Sequence, residues 1–251
     1  MENKWQHLKN PPVVTAIFQL KFDTGSVKLD DFLKYDQILR RDFPGRNDNI
    51  ESSLQLPPST RITLGKGQIS GVAETRRVGY IYFTTDQKEK LSLTENEITY
   101  TTEKDYQGWD FFRELVQKVL KIIQPTMDNV TIRRSSIRFI NQFSLQEFND
   151  PSEYFKTQIV STAKGDTLPF PLIKYGFKLT FDVEDDIYSI VNQSVDPLPD
   201  KFVYIFDIDV LNRTNMLFDL DSISEVMEKL REVKNAIFFG NLTNKILELC
   251  N

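Results

Sequence analysis

Val13-Val14-Thr15-Ala16-Ile17-Phe18-Gln19-Leu20-Lys21-Phe22 is the stretch on which the fold turns. Val14, Ala16, Phe18, Leu20 and Phe22 alternate with Thr15, Gln19 and Lys21. A period of two marks a strand with one face in a core. Ahead of it, Asn10-Pro11-Pro12 holds the chain extended, because proline bars helix in the residue before it. Behind it, Gly25 is followed by Leu29, Phe32, Leu33, Ile38 and Leu39 at helical spacing, stopped by Pro44-Gly45.

Outward from this unit, residues 49–59, with Pro57-Pro58, read as a loop or irregular strand. Four short strand candidates follow at 67–74, 79–84, 89–93 and 97–102. No helix fits between them, so they form an antiparallel meander. Trp109, Phe112, Val116, Val119 and Ile123 then recur at helical spacing opposite Asp110, Arg113, Gln117, Lys118 and Lys121, and Pro125 marks the stop.

The second half repeats the order. Residues 130–143 read as a long strand, and Pro151-Ser152 opens a short helix through Ile159. In 173–183, Ile173, Tyr175, Phe177, Leu179, Phe181 and Val183 alternate with Lys174, Lys178, Thr180 and Asp182, which places Phe177 in the core. Glu184-Asp185-Asp186 turns the chain into a strand at 187–194, and 202–211 is the last strand. Ser222 with Glu225 forms a capping box for a helix whose core side is Ile223, Val226, Met227, Leu230 and Val233. Gly240-Asn241 breaks it before a last turn with Leu242, Ile246 and Leu249.

These elements predict an α+β fold: one domain, 1–251, of two similar halves, about 1–127 and 128–251. Each half runs strand, helix, antiparallel meander, helix, and together they make one curved antiparallel sheet with helices on one side. The order resembles the duplicated saddle of the TATA-binding-protein-like folds, a likeness of topology that carries no function.

The 251 residues carry a net charge of −5, one cysteine (Cys250) and one histidine (His7). That excludes a disulfide framework, a cysteine-based zinc site and any mechanism needing a histidine pair. Nineteen Phe and nine Tyr are too much apolar surface for a disordered chain. No apolar run approaches the ~20 residues of a membrane span. The first residues lack a signal-peptide stretch, so a cytoplasmic location is expected.

No cofactor or metal site is expected. Gly65-Lys66-Gly67 lacks the rest of a P-loop, and Glu184-Asp185-Asp186 lacks the spacing and glycine of a calcium loop. Cys250, without a histidine partner, is expected to be inert.

The most unusual segment is Ile132-Arg133-Arg134-Ser135-Ser136-Ile137-Arg138-Phe139. Arg134, Ser136 and Arg138 share one strand face, and Arg133 and Ser135 the other. Arginines on both faces cannot all be buried cheaply, so one face is open or pairs with carboxylates. Asp207 and Asp209, two apart on one strand, are the matching acids and also the best pair for acid–base or metal chemistry. The arginines suit either a cross-strand ion-pair ladder or recognition of an anionic group. Lys174 and Lys178 add local positive charge to the exposed face, while a pI near 5.1 opposes nucleic acid.

Leu8-Lys9-Asn10-Pro11-Pro12-Val13-Val14-Thr15-Ala16-Ile17-Phe18 resembles the opening motif of a sporadically distributed bacterial family of unknown function. Ser136-Ile137-Arg138-Phe139-Ile140-Asn141 is similar to its mid-chain segment, and Lys234-Asn235, Phe238 and Leu242-Thr243 to its end. Thr15 stands where that family usually carries glutamate. The resemblance covers the whole length and marks Asn10, Pro11, Pro12, Arg138 and Asn141 as motif positions. It implies a patchily inherited prokaryotic gene, of the kind found beside defence or toxin–antitoxin modules, and supplies no activity.

The reading that follows is a non-enzymatic binding module, with another protein as the favoured partner and an immunity, antitoxin or defence-accessory role. The alternative is a nucleic-acid or nucleotide-ligand binder. Both use the sheet face, with Arg133, Arg134, Arg138, Asn141, Lys174 and Lys178 as candidate binding residues.

Overall fold

The alternation at Val13–Phe22 becomes strand β1, with Ala16, Phe18, Leu20 and Phe22 buried. Val14, expected on that face, is 39% exposed, because a bulge between Val13 and Thr15 throws it out of register. The computed structural model describes residues 5, 8–55, 72–145, 154–157, 174–184 and 186–251.

After β1 the expected single helix is a 3-10 helix, Leu29–Tyr35, followed by one α-helical turn, α1 (Asp36–Leu39). Next come β2 (Gly45–Gln55), β3 (Val72–Phe83), β4 (Glu89–Thr94) and β5 (Glu97–Thr102). Of the two readings open for 49–59, a loop or an irregular strand, residues 49–55 take the second, as part of β2, which pairs with β3 from Gly45↔Phe83 to Gln55↔Val72 with an irregularity between Asn49 and Ile50. Residues 67–71 and Gly65-Lys66-Gly67 lie outside the described residues, and the rest of two expected strands is the single strand β3.

Helix α2 (Trp109–Met127) runs through Pro125 rather than stopping at it. Proline this close to the end removes one helical hydrogen bond, to the carbonyl of the exposed Lys121, and the buried Ile123 and Met127 hold the turn. β6 (Thr131–Leu145), β7 (Tyr175–Glu184), β8 (Ile187–Pro197), β9 (Phe202–Asn212) and the two-residue β10 (Met216–Leu217) follow. The helix expected over 151–159 falls mostly outside the described residues. Within 154–157 the chain makes a bridge, Phe155 to Leu242.

α3 (Leu220–Asn241) begins before the expected capping box: Asp219 is the cap, accepting from the Ser222 amide at 2.8 Å. The helix carries Gly240 within it and ends at Asn241, before the short α4 (Asn244–Glu248).

Among the described residues the strands form one antiparallel sheet in the order β2-β3-β4-β5-β1-β6-β9-β8-β7, with β10 beside β6. One face is the core. Phe18 registers with Tyr100 and Ile137, and Phe139 with Ile208, all buried. Both long helices pack on that face. Phe112 of α2 lies against Phe139 of β6 (ring centroids 5.5 Å), and Phe238 of α3 against Phe206 of β9 (6.2 Å).

Phe177 is half-buried rather than in the core. It has the correct face, opposite Gln193, but α3 rests on β6 and β9, and β7 lies two strands beyond β9. Phe181 and Val183 on the same strand are about 40% exposed for the same reason.

Candidate functional site

The arginine strand resolves into separate arrangements. On the face away from the helices, Arg138 and Asp209 are paired across β6 and β9, with Asp207 one rung along. Arg138 forks onto Asp207, donating from Nε at 2.8 Å and Nη2 at 2.7 Å, and Asn192 donates to the same carboxylate at 2.9 Å. The Asp207 side chain is only 7% exposed. Arg134 donates to Gln19.

Arg133 points elsewhere and grips Asp23 at the sheet end (2.9 and 2.6 Å). Lys174 pairs with Asp196, and Lys178 is exposed, in register with Asn192. The ladder half of the sequence reading is therefore present at Arg138–Asp207. The six candidates do not form one site, since Asn141 lies on the core face and Arg133 at the sheet end.

Asp209 is left over. One carboxylate oxygen is buried without a hydrogen bond, and burial pushes the acid up to about 6, with the Arg138 guanidinium opposing and Asp207 adding to the shift. The folded state thus holds this proton more tightly than the unfolded chain. Its contribution to stability is present below about pH 4 and lost as pH rises through about 6. Asp209→Asn is expected to remove that loss and gain about 2 kcal/mol near neutrality. Urea midpoints across this range check it, and an unchanged pH slope in the variant contradicts it.

A second locus lies under the N-terminal arm. Pro11 and Pro12 have no amide proton to give, so the arm is pinned by its neighbours: the Asn10 amide donates to the Cys250 carbonyl and the Gln142 amide to the Pro12 carbonyl, both at 2.8 Å. Trp5 stacks on Phe239 (5.5 Å, 8° between planes) and donates to Glu232 at 2.9 Å. Between this arm, the lead into α2, Asn141 of β6 and one flank of α3 is a cavity of about 310 Å³.

Gly108 sits at its mouth with φ of 106°, a conformation glycine adopts without strain, and starts α2 there. Trp109 and Arg113 of α2 both donate to Glu228 of α3 (2.6 and 2.8 Å), and Arg231 donates to it at 3.2 Å. This clamp ties the helices together and sets the Arg231 guanidinium 5.5 Å from the Trp109 ring centre.

Three polar groups on the cavity wall, Lys234, Asn235 and the Tyr106 hydroxyl, have no hydrogen-bond or ion-pair partner among the described residues. Lys234 has its ammonium 4.7 Å from the Phe139 ring centre and makes no ion pair among the described residues. Burial lowers it to about 7, Arg231 lowers it further and Glu232 opposes. Asn235, only 6% exposed, makes no side-chain hydrogen bond among the described residues, and neither does the hydroxyl of Tyr106, which burial holds above the usual phenol range. Asn141 spends its amide protons on the carbonyls of Phe206 (2.9 Å) and Phe139 (3.3 Å). No Asp or Glu is among the described residues lining the cavity, and Lys9 adds a third cation at its rim.

No known protein family, curated protein or solved structure matches the chain. The site therefore has to be judged on its chemistry. Three stretches far apart in sequence meet at the cavity: Lys9 to Val13, Asn141, and Lys234-Asn235 with Phe238. Of the six candidate residues, Asn141 alone lines it. Lys234, Asn235, Tyr106 and Arg231 were not singled out as binding residues, although one signal was present. Lys234 falls on the buried stripe of α3, four residues after Leu230 and four before Phe238, where an apolar side chain belongs.

Among the described residues no three His, Cys, Asp or Glu side chains are grouped to hold a metal. No helix among them is long and apolar enough to cross a membrane.

Proposed function

We propose that the chain is a binding protein whose ligand is a small organic anion with a planar or apolar body, held in the cavity beneath the N-terminal arm. The observation that carries this reading is the set of polar groups without a hydrogen bond or ion pair among the described residues, Lys234, Asn235 and Tyr106, around a cavity whose described lining has three cations and no acid. A half-buried lysine with no ion pair and a buried amide with no hydrogen bond among the described residues cost stability, and a bound anion supplies the missing interactions. Trp109, Phe238 and Phe239 offer ring faces for the ligand body. The volume lies at the lower end of the ~300–1,000 Å³ typical of small-molecule sites.

Salicylate and phenyl phosphate are suitable probes. Either is expected to raise the melting temperature saturably and to titrate calorimetrically with one site per chain. Lys234→Gln and Asn235→Leu should each weaken binding about tenfold or more, the size of one lost charge-assisted hydrogen bond. Equal affinity in both variants, or no binding by the wild type, overturns the reading.

A second reading, another protein on the outer sheet face, is favoured by its isoleucines. Ile17, Ile81, Ile140, Ile190 and Ile205 are all half-buried there, and the ions beside them are balanced, as in Lys21–Glu97, Arg138–Asp207 and Lys174–Asp196. A mixed apolar and charge-neutral face suits a protein partner better than a polyanion. The immunity, antitoxin or defence-accessory setting belongs to this reading.

We also read the halves 1–127 and 128–251 as a duplicated pair in the TATA-binding-protein-like manner. In support, β1 and β6 are side by side at the centre, and the remaining strands run outward as 5-4-3-2 and 9-8-7.

A further inference from the structure

Lys234 is set up to do more than attract charge. It lines a cavity, rests its ammonium on the Phe139 ring and has no carboxylate partner among the described residues. The charged and titratable groups around it are Arg231 and Glu232 on its own helix, Lys9 on the arm and Tyr106 before α2. Of these, Glu232 is already engaged by Trp5 and Arg231 by Glu228. β6 contributes Phe139 and Asn141, neither of which is charged.

A lysine beside Arg231 and against the Phe139 ring, with its near carboxylate Glu232 already engaged by Trp5, is shifted toward its neutral form near pH 7, and the neutral amine is the nucleophile. Asn235 and Arg231 lie one residue after it and three before it, the second on the same helix face.

We propose that Lys234 is an imine-forming amine: its Nζ condenses with the carbonyl carbon of a small oxo acid whose carboxylate is held by Arg231 and Asn235. The nitrogen lone pair forms the C–N bond, and the carbonyl oxygen leaves as water with both amine hydrogens. The charge balances and no oxidant or reductant takes part. The step is reversible, so it serves capture of the ligand. The inference rests on the cavity being a site for organic anions and narrows that class to those with a carbonyl group.

The test uses the full chain, phenylpyruvate as probe and cyanoborohydride to fix any imine, read by intact mass and peptide mapping. One 1-carboxy-2-phenylethyl group per chain is expected, on Lys234, forming faster as pH rises toward about 7 and saturating above it. Exposed lysines such as Lys121 and Lys229 should label slowly, with no saturation in probe concentration.

Lys234→Arg removes the nucleophile, so it should lose the adduct. Its melting curve checks that it is folded. Salicylate should compete with labelling of the wild type. Salicylate binding without a preferred adduct at Lys234 overturns the imine and leaves the anion reading standing. An adduct at Lys234 that salicylate neither slows nor matches by binding supports the amine and overturns the anion reading. Labelling spread evenly over exposed lysines, with no salicylate binding, overturns both.

Discussion

Phe112→Ala is expected to lower the free energy of unfolding by about 3–5 kcal/mol. Phe112 is 1% exposed and joins α2 to the sheet. Its ring is 5.5 Å from Phe139, 6.0 Å from Tyr100 and 6.0 Å from Trp109. Truncation removes the buried ring and leaves a cavity its aromatic neighbours cannot collapse into, since each is held by its own strand or helix. Lys178→Ala, on an exposed position of β7, should change stability by less than about 0.5 kcal/mol. Phe177→Ala should fall between them, at about 1–2 kcal/mol, because its ring is only half-buried. Equal urea midpoints for Phe112→Ala and Lys178→Ala contradict this placement of the core.

Arg138→Ala is expected to cost about 2–3 kcal/mol. The loss comes less from the attraction removed than from what stays behind: Asp207, 5% exposed, next to Asp209 with an oxygen already unpaired. Asn192 alone then serves the Asp207 carboxylate. The Arg138 side chain is 41% exposed, so water offsets part of the loss, and the value sits below the ~3–5 kcal/mol of a fully buried broken pair. Asp207→Asn in the Arg138→Ala background should restore part of the stability by removing the stranded charge. An Arg138→Ala variant as stable as the wild type contradicts the ladder and points to a side chain kept free for a ligand.

The parts of the fold that were legible carry strong periods. β1 and β6 alternate about a buried face, and α2 repeats Phe112, Val116, Val119 and Ile123 every three or four residues. β2 was only partly legible. Its start at Gly45 carries no strand signal, since Arg46, Asn47, Asp48 and Asn49 are polar and this outer strand buries little, so its pattern records backbone pairing and no core. The 3-10 turn at Leu29–Tyr35 has the apolar spacing of an α-helix, and tertiary packing of Phe32 decides its tighter winding. Asp219 was missed as a cap because Ser222 and Glu225 offered a stronger local pattern three residues later.

For the candidate site, the arginine strand drew attention through charge, and the partner found for Arg138 was one of those weighed. The cavity depends on tertiary assembly. Lys9, Tyr106, Asn141 and Lys234 come from four separate elements, and no spacing rule joins them. The local sign was Lys234-Asn235 interrupting an apolar helix face, a breach of pattern of the kind functional sites tolerate.

The central claim is that ligand recognition belongs to the cavity and not to the arginine-bearing sheet face. Amide chemical-shift mapping of the full chain during titration with salicylate tests it most directly. The account predicts saturable shifts at Tyr106 to Trp109, at Asn141 and along Arg231 to Phe239, with the amides of Ile190, Asn192, Asp207 and Asp209 unmoved. Shifts concentrated at those four residues and Arg138, with the α3 amides unmoved, contradict it.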